Sequence, residues 1–478
     1  MHKLFGTDGM RGEAGRFPLD APTIETVGRS LARQLAECAG GEGRAPRIIV
    51  GRDTRESGEW IERAFLYGAR AAGASCESAG IITTPGVAFL TRTLPAEAGV
   101  VISASHNPYH DNGIKIFAPT GRKLDDATER RIEADIRQAH GEGRDPRVEA
   151  RAKRDEADAN GQRTGASTPR SVGGAGDAAQ RAAALQARYL DYLSEEVAPD
   201  LRLDNLRLVL DCANGAASQF APALFERLGA EVFATGQTPD GRNINHECGS
   251  LYVEHLREQV LTNHAHLGVA FDGDADRALF LDARGQVVDG DATLWVMAKS
   301  LQARGELAGE QIVATVMSNI GLELALGSRE IKMLRADVGD KYVLEELLRT
   351  GASLGGEQSG HIIFPRVSLA GDGMITTLFL LRAMQESGES LEALTAGFTR
   401  YPQVLVNVRV AEKRPFAEVA EIAVEARRTE AALDGQGRLL LRYSGTEPLA
   451  RVMIEGRHQE DIERLAHALA AVIERALG

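Results

Sequence analysis

Apolar and polar positions alternate along the first part of the chain in the order strand, helix, strand, which predicts parallel βαβ units. Residues 47–53 (RIIVGRD) are an apolar run that ends in polar residues and predicts a buried strand. Residues 58–73 carry apolar positions at helical spacing and close at Gly73, so they predict an amphipathic helix. The run AGVVIS at 98–103 predicts the next strand. The chain is therefore predicted to begin with an α/β domain.

The alternation returns in two further blocks after residue 183 and changes in a last block after residue 400. The last block combines strands with a middle helix and a terminal helix, which predicts a smaller α+β domain. We therefore predict four domains, at 1–140, 184–288, 289–400 and 401–478. The strands predicted in the last three domains are 206–215, 230–236, 267–282, 311–317, 352–364, 404–410 and 438–456.

Between residues 141 and 183 this pattern stops. The segment carries only two large apolar residues, Val148 and Val172, among glycines and charged residues. Such a composition buries too little apolar surface to offset the chain entropy that folding removes. We predict a flexible insertion or linker between the first and second domains, and the sequence reveals no role for it.

Composition and charge narrow the class of protein. Of 478 residues, 43% are hydrophobic, enough for buried cores, which excludes a disordered or fibrous chain. The 55 basic and 68 acidic residues give a net charge of −13, which argues against nucleic acid or an anionic membrane as a partner. No apolar run approaches the roughly 20 residues of a membrane helix, and no signal-peptide pattern begins the sequence. We expect a cytoplasmic protein whose cysteines are free thiols: Cys38, Cys76, Cys212 and Cys248.

Three predicted strands each end in an unusual polar loop. The loops begin at Ser103, Asp272 and Glu357, in the first, second and third domains. In open α/β sheets, ligands collect at the carboxyl ends of the strands. The loops therefore predict three domains that face one shared cleft.

The loop Asp272-Gly-Asp274-Ala-Asp276 places three carboxylates at alternate positions between two apolar runs. Hard oxygen ligands suit Mg²⁺ or Ca²⁺, and like charges this close need a cation. An EF-hand is excluded, because its sixth and twelfth positions would be Arg277 and Ala283. The alternative is an acidic surface turn. We favour a Mg²⁺ site that serves phosphoryl chemistry, because Mg²⁺ keeps positions open for phosphate oxygens.

Ser105 lies in the sequence ISASHNP, where small neighbours leave its hydroxyl accessible and Pro108 rigidifies the turn. It is either a nucleophile with His106 as its base, or a serine that caps the backbone amides of a turn. No G-x-S-x-G elbow surrounds it, which argues against a hydrolase triad.

Two motifs suit an anion. The sequence Arg442-Tyr-Ser444-Gly445-Thr446 combines a guanidinium, hydroxyl groups and a flexible glycine, which together can hold a phosphate. A plain hairpin turn is the alternative. The glycine-rich loop around Arg11 is either a tight turn or a means of bringing Arg11 to an anion.

Glu357, Ser359 and His361 alternate along the strand predicted at 352–364, so we expect them to share one face. A carboxylate, a hydroxyl and an imidazole on one face suit the hydroxyl groups of a sugar. Buried polar residues that neighbouring loops satisfy are the alternative interpretation.

Together, the motifs of this chain resemble the α-D-phosphohexomutase superfamily. They are, in order, FGTDGMRG, SASHNPYHDNGIKIF, FDGDADR, GGEQSGH and RYSGTEP, and they span nearly the whole chain. Each motif alone is modestly specific, whereas five in one order are very specific. The resemblance implies three similar α/β domains with mixed sheets and a C-terminal α+β domain around a central cleft. The segment 141–183 is longer than this family leads us to expect, and it lies away from every motif.

The resemblance also implies roles for residues of these motifs. Ser105 would be a phosphoserine, primed by a hexose bisphosphate or a kinase, and its phosphate would complete the shell of a Mg²⁺ ion. The ligands on the metal loop would be Asp272, Asp274 and Asp276. Charge neutralisation and proton transfer would fall to Arg11, Lys115, His106, Arg277 and His361. Substrate binding would fall to Glu357, Ser359, Gly339, Asp340, Lys341, Arg442, Ser444, Gly445, Thr446 and Arg451.

The activity that this implies is the isomerisation of glucosamine 6-phosphate to glucosamine 1-phosphate, through a bisphosphate intermediate that reorients in the cleft. Its product would feed UDP-N-acetylglucosamine synthesis. The first alternative is a phosphomannomutase or phosphoglucomutase of the same superfamily. A metal-dependent phosphatase and a non-catalytic phosphosugar-binding protein are two further alternatives. We expect a hexosamine phosphate as substrate and either a monomer or a homodimer.

Overall fold

A computed structural model describes residues 3–6, 8–38, 44–141, 175–444 and 447–478. The chain forms two compact units, of which the first comprises Met1–Val316 and Leu334–Ala396, and the second Met317–Met333 and Gly397–Gly478. The division into four domains made from the sequence stays a prediction. Among the helices of the described residues, none has the length and apolar character to cross a membrane.

Strands and helices alternate through most of the described chain. The strands are β1 Phe5–Gly6, β2 Gly9–Glu13, β3 Arg47–Arg52, β4 Ser75–Ile81, β5 Ala98–Ile102, β6 Asp111–Phe117, β7 Arg207–Asp211, β8 Glu231–Thr235, β9 Leu267–Phe271, β10 Ala278–Asp282, β11 Val287–Val288, β12 Gln311–Thr315, β13 Lys332–Ala336, β14 Gly355–Gly356, β15 Ile362–Ile363, β16 Gln403–Arg409, β17 Arg438–Tyr443 and β18 Leu449–Glu455. The helices are α1 Ala21–Cys38, α2 Gly58–Ala71, α3 Thr84–Thr93, α4 Asp126–Gly141, α5 Ala175–Asp191, α6 Ala217–Arg227, α7 Val253–Thr262, α8 Gly290–Ala303, α9 Ile320–Gly327, α10 Asp340–Thr350, α11 Gly373–Ser387, α12 Leu391–Thr395, α13 Ala420–Leu433 and α14 Gln459–Leu477.

The first sheet has the order β1-β2-β6-β5-β3-β4 and is mixed. β3 runs parallel to β4 and β5, as the apolar runs linked by helices predict. β6 and β2 add antiparallel strands on the other side of β5. Helices α1 and α2 pack closely where Gly68 faces the Glu25 backbone. A Cβ at Gly68 would lie 1.9 Å from the Glu25 carbonyl oxygen, so only glycine allows this approach. The core beneath these helices holds fully buried Ile24, Phe65 and Ile102.

The second and third sheets repeat this arrangement on a smaller scale. The second sheet has the order β11-β10-β9-β7-β8, with β7 parallel to β8 and β9, and β10 antiparallel to β9. The third has the order β13-β12-β14-β15, with β14 parallel to β12 and antiparallel to β15. The sheet of the second unit, β16-β18-β17, is antiparallel throughout. The chain thus has the mixed α/β sheets that the resemblance implied, where the pattern alone predicted parallel units, and the final α+β sheet that the pattern predicted.

Three predictions of single strands are wrong. The ranges 267–282, 352–364 and 438–456 each contain two antiparallel strands joined by a loop or turn. In the second of these, Gly360 has a φ of 89° and ends the extended conformation. The Glu357 N–H donates to the His361 carbonyl (3.0 Å) across a turn. Glu357, Ser359 and His361 therefore lie in a hairpin turn and do not alternate along one strand.

The predicted insertion at 141–183 lies mostly outside the described residues. Helix α4 ends at Gly141, and α5 begins at Ala175, so the two ends of the predicted segment are helical. The Gln186 side-chain amide of α5 donates to the carbonyls of Ala79 (2.9 Å) and Ile81 (3.1 Å) on β4. Helix α5 therefore covers an edge strand of the first sheet and satisfies part of its backbone.

Candidate active site

The loops after three strands meet in the first unit, as the sequence predicted for the carboxyl ends of strands. Each loop joins a strand to an antiparallel return strand, from β5 to β6, from β9 to β10, and from β14 to β15. The Ser105 hydroxyl donates to Asp272 Oδ2 (2.5 Å), which links the first loop to the second. His361 Nδ1 lies 3.6 Å from Asp276 Oδ1, which links the third loop to the second.

The three aspartates of the β9–β10 loop form a cluster of buried carboxylates. One oxygen of each of Asp272, Asp274 and Asp276 lies within 4.8 Å of those of the other two. Burial and repulsion from Asp276 and Asp274 raise the pKa of Asp272 well above its usual range. Burial also opposes ionisation of Asp276, but Lys115 and His361 outweigh it and hold its pKa well below the usual range. The carboxylates of the cluster thus repel one another, and neighbouring cations compensate part of this repulsion.

This cluster fits a divalent cation. Among the described residues, Asp274 Oδ1 and Asp276 Oδ1 are buried without a hydrogen-bond partner. Buried carboxylate oxygens without donors are costly, and a hard cation removes that cost. Carboxylates alone, with no cysteine or imidazole among the three ligand atoms, favour Mg²⁺, Ca²⁺ or Mn²⁺ over softer metals.

The Ser105 loop is built to hold a serine in a strained conformation. Ser105 has a φ of 55°, in the left-handed region that a serine rarely adopts. Its N–H donates to Ser103 Oγ (2.9 Å), and its side chain is fully buried against Asp272. A Cβ on Gly273 would lie 2.6 Å from the Ser105 carbonyl oxygen, so glycine is needed for the two loops to approach. The strain is therefore held in place by contacts from both loops.

Arg55 and Asn245 fix the backbone of this loop from outside it. Arg55 is fully buried, and Nη2 donates to the Ser105 and Asn107 carbonyls (both 2.9 Å). Its Nε donates to Asp53 Oδ2 (2.9 Å), which also accepts the Ser103 hydroxyl (2.7 Å). The Asn245 side-chain amide donates to the Ser105 carbonyl (2.9 Å) and the Asn107 carbonyl (3.0 Å). The Ser105 loop is thus tied to two other segments of the first unit.

Two predicted cations lie beside the cluster. Lys115, on β6, is almost fully buried, and Nζ donates to Asp274 Oδ2 (2.8 Å) and Asp276 Oδ2 (3.4 Å). Burial lowers the pKa of Lys115, but Asp274 and Asp8 outweigh it and raise that pKa well above its usual value. Arg11, on β2, forms a close ion pair with Asp8, which also lies 3.1 Å from Lys115 Nζ. Lys115 therefore stays charged beside the carboxylates, and Arg11 is linked to it through Asp8.

His106 and His361 differ in electrostatic environment. His106 Nδ1 lies 3.4 Å from Ser105 Oγ. Burial and the charge of Arg277 lower the pKa of His106 to about 4, so it is neutral at pH 7. Burial also disfavours the charged form of His361, but Asp276 outweighs it and raises that pKa to about 9. The Gly371 N–H lies 3.2 Å from His361 Nε2 and can donate to it when the ring is neutral, with its proton on Nδ1. A cation held by Asp276 would weaken the attraction that raises this pKa and would favour proton exchange at His361.

The predicted sugar side chains lie around a cavity of about 480 Å³. Gly339, Asp340, Glu357 and His361 line it together with Arg11 and Arg277. The Gly339 N–H donates to Glu357 Oε1 (3.1 Å), so the loop before α10 touches the β14–β15 turn. Lys341 points away to Asp126 (2.6 Å), and Ser359 Oγ is buried with no hydrogen-bond partner in the described residues.

The predicted phosphate cradle belongs to the second unit. Arg442 on β17 lies directly opposite Arg451 on β18. Burial and the charge of Arg451 lower the pKa of Arg442. Ser444 is buried, and its Oγ accepts the Glu447 N–H (3.3 Å). Facing guanidinium groups of this kind can bind an anion. Gly445 and Thr446 lie outside the described residues.

Comparison with known sequences decides the family. Models of the phosphoglucomutase/phosphomannomutase family match domain I at 2–142, domain II at 187–285, domain III at 289–401 and the C-terminal domain at 405–472. The chain is 48% identical over 475 residues to a phosphoglucosamine mutase of Solibacter usitatus, covering 99% of each protein. It is 45% identical over 476 residues to that of Syntrophotalea carbinolica, covering 100% of this chain and 98% of the relative. The chain belongs to the phosphoglucosamine mutase family. It is therefore a phosphohexomutase, an isomerase that moves a phosphoryl group.

Solved structures agree on the fold of this phosphohexomutase. A phosphoglucomutase/phosphomannomutase family protein of Burkholderia thailandensis matches with a TM-score of 0.76 at 23% identity, over 99% of this chain and 97% of that one. The N-acetylphosphoglucosamine mutase of Aspergillus fumigatus, solved with GlcNAc-6P and magnesium, matches with a TM-score of 0.60 at 18% identity, over 99% of this chain and 96% of that one. The predicted superfamily and fold class are confirmed.

Sequence reasoning missed three charged residues of this phosphohexomutase site. Asp8 and Lys123 extend the ion pairs of Lys115 and Arg11, since Lys123 Nζ lies 2.5 Å from Asp8 Oδ1 and 2.6 Å from Asp340 Oδ2. Arg55 lies under the Ser105 loop. Asp8 stands within the motif FGTDGMRG, so the motif could have identified it as a site residue. Arg55 and Lys123 belong to no motif and only follow a strand. Their roles depend on contacts across 50 residues or more.

We expect the variant Arg55→Met to lose about 3–5 kcal/mol of unfolding free energy. Methionine fills similar space but leaves Asp53 buried without its cation, and breaking a buried ion pair costs about this much. Urea unfolding of the two proteins measures the loss. Arg16→Met is the control, because Arg16 is 75% exposed in its pair with Glu13 and its loss should cost under about 0.5 kcal/mol. An Arg55→Met variant within about 1 kcal/mol of the parent would contradict the structural role of Arg55.

Proposed function

We propose that the protein interconverts glucosamine 6-phosphate and glucosamine 1-phosphate, using Ser105 as phosphoryl carrier. The observation that carries this proposal is the 2.5 Å contact of Ser105 Oγ with a buried aspartate cluster flanked by Lys115 and Arg11. Nucleophile, carboxylates for a metal and cations for a phosphoryl group are the parts that phosphoryl transfer needs. The names of the full-length relatives support glucosamine phosphate as the substrate.

In the first half of the reaction, phosphoserine 105 gives its phosphoryl group to the free hydroxyl of the sugar phosphate. The P–O bond to Ser105 breaks as a P–O bond to the sugar forms. The sugar hydroxyl releases its proton, and the Ser105 oxygen takes one up to become a hydroxyl again. Mg²⁺ bound by Asp272, Asp274 and Asp276, and by the phosphate of Ser105, would neutralise charge on the transferring group. Arg11 and Lys115 add positive charge there, and neutral His106 with Arg277 supports the same group.

In the second half, the bisphosphate reorients and its other phosphoryl group returns to Ser105. The departing sugar oxygen then needs a proton. We assign this proton to His361, because its raised pKa of about 9 favours holding one and its ring borders the sugar cavity. By microscopic reversibility, the neutral form of His361 accepts the sugar hydroxyl proton in the first half. Lys115 is the second candidate for proton transfer, on the Ser105 side.

We assign the sugar and the non-reacting phosphate of the substrate to two different sets of residues. Glu357, Gly339 and Asp340 would bind the sugar, since they line the cavity beside His361, and Ser359 and Lys341 stay predicted contacts of the same ligand. The phosphate that does not react would bind Arg442, Arg451 and Ser444, with Gly445 and Thr446. The cytoplasmic location, and the choice between monomer and homodimer, stay predictions.

We expect kcat/KM for glucosamine 6-phosphate to exceed that for glucose 6-phosphate and mannose 6-phosphate by at least about 100-fold, because a site for a charged group rejects analogues without it. Coupled assays of the three substrates with the same protein sample measure the ratio. A preference of about 100-fold for glucose or mannose phosphate would instead identify the phosphoglucomutase or phosphomannomutase alternative. Release of inorganic phosphate without isomerised product would identify a phosphatase.

A further inference from the structure

The sugar cavity has more negative charge than phosphoryl transfer explains. Four carboxylates line it: Asp8, Asp276, Asp340 and Glu357. Asp276 belongs to the metal cluster. Asp8 is paired with three cations, because Lys123 contacts Oδ1 (2.5 Å) and both Lys115 (3.1 Å) and Arg11 contact Oδ2. Asp340 is paired with Lys123, which it shares with Asp8, so Asp340 and Glu357 remain as the carboxylates that can face the ligand.

The substrate of the proposed function brings one matching cation, and this inference rests on that function. Its 2-amino group resembles an α-amino group, whose ordinary pKa is about 7.7–8.0, so it is largely protonated at neutral pH. An ammonium that enters a partly dehydrated cavity loses water contacts and needs a carboxylate in return. Glucose and mannose phosphates carry a neutral hydroxyl at the same carbon. A carboxylate at that position would therefore separate the substrates.

Asp340 is the carboxylate best prepared for this contact. It stands at the first position of α10, where the helix dipole favours a negative charge. Its Oδ1 accepts the Lys341 N–H (2.9 Å), and Lys123 Nζ lies 2.6 Å from Oδ2. Lys123 is itself shared with Asp8 and is not among the residues that line the cavity. Asp340 is thus paired with a cation and oriented from behind, while 20% of its side chain stays exposed.

Glu357 is held differently. Its Oε1 accepts the Gly339 N–H (3.1 Å), which fixes it to the backbone just before Asp340. Asp340 Oδ2 lies 3.9 Å from His361 Nε2, so Asp340, Glu357 and His361 border the same end of the cavity. Neighbouring hydroxyl groups of the sugar ring can then occupy Glu357 while the amino group at the next carbon reaches Asp340.

We propose that Asp340 determines specificity by accepting the protonated 2-amino group of the sugar phosphate, with Lys123 as the positioning residue that holds its carboxylate. Asp340→Asn keeps the shape and an oxygen for the Lys341 N–H but removes the charge. Its kcat/KM for glucosamine 6-phosphate should fall on the order of 100-fold, as for removal of one partner of a buried charge pair. Its kcat/KM for glucose 6-phosphate should stay within about 3-fold of the parent, so the ratio of the two substrates changes.

Two further variants make the test specific. Glu357→Gln should lower the activity on both sugars by similar factors, because hydroxyl groups are common to both. Asp126→Asn is the matched control, since Asp126 pairs with Lys341 and lies outside the sugar cavity, and it should leave the substrate ratio unchanged. If Asp340→Asn does not fold, as judged by thermal unfolding, Asp340→Ser replaces it, because serine also accepts an N–H at the start of a helix.

The outcomes separate this inference from the proposed function. A parent protein that isomerises glucosamine 6-phosphate, with an Asp340→Asn variant that loses activity on both sugars equally, would overturn the inference alone. A change of ratio in Glu357→Gln but not in Asp340→Asn would move the ammonium site to Glu357 and overturn it as well. A parent protein without activity on glucosamine 6-phosphate would overturn the proposed function and the inference together.

Discussion

The variant Ser105→Ala is expected to lose isomerase activity, with kcat lower by at least about 10⁴-fold. Alanine removes the oxygen that carries the phosphoryl group, and no other residue takes its position against Asp272 (2.5 Å) among those that the structure describes. The metal cluster, Arg11 and Lys115 remain, but without a nucleophile they have no covalent intermediate to stabilise. The expected loss is therefore larger than for any single charged residue of the site.

Intact-protein and peptide mass spectrometry check the same variant. The parent protein, treated with a hexose bisphosphate, should carry one phosphate on Ser105, and Ser105→Ala should carry none. Ser30→Ala is a matched control, because Ser30 is also buried and donates to a carboxylate, Asp135 (2.6 Å), away from the site. Its kcat should stay within about 2-fold. Phosphate found only on another residue, or kcat above a tenth of the parent's in Ser105→Ala, would disprove the carrier role.

Much of the fold was predictable from hydrophobic pattern alone. The strands β3, β5, β7 and β12 are apolar runs buried on both faces, and such runs are read directly from the sequence. Three pairs of strands were each predicted as one strand, because the polar loop between the two apolar runs is short and was counted as part of the strand. At 352–364 the strands have only two residues each, too few to show a period of their own. The break between these two strands shows instead in the turn geometry, such as the positive φ of Gly360.

The site was predictable where its residues cluster in sequence and obscure where they do not. Asp272, Asp274 and Asp276 stand in one loop, and spacing alone indicates a metal site. Arg11 was a candidate from its glycine-rich loop, whereas Lys115 became one only through the resemblance, since it is one charge on a strand. Arg55 and Lys123 are missed by both routes, because an isolated basic residue normally lies on a solvated surface. Their burial follows from the packing of loops far apart in sequence.

Asp272→Asn is expected to have two opposite effects. In the metal-free protein, it removes one of three clustered carboxylates, whose burial and mutual repulsion raise the pKa of Asp272. The Tm of the metal-free variant should therefore rise by a few degrees. Isomerase activity should fall at least about 10³-fold, because a charge-neutralising metal is worth several kcal/mol in the transition state. Asparagine keeps an oxygen for the Arg277 N–H (3.2 Å), so the loop itself is preserved.

Thermal unfolding with and without Mg²⁺ measures both parts of this expectation. A ligand that binds only the folded protein stabilises it by an amount that grows with concentration over Kd, so Mg²⁺ should raise the Tm of the parent protein. The same addition should raise the Tm of Asp272→Asn much less. Asp211→Asn is the control, because Asp211 is a buried carboxylate with a raised pKa that accepts backbone N–H groups outside the site. Its Mg²⁺-dependent shift should equal the parent's. A variant Asp272→Asn with an undiminished shift would place the metal elsewhere, since the repulsion that the cation relieves involves Asp272 directly.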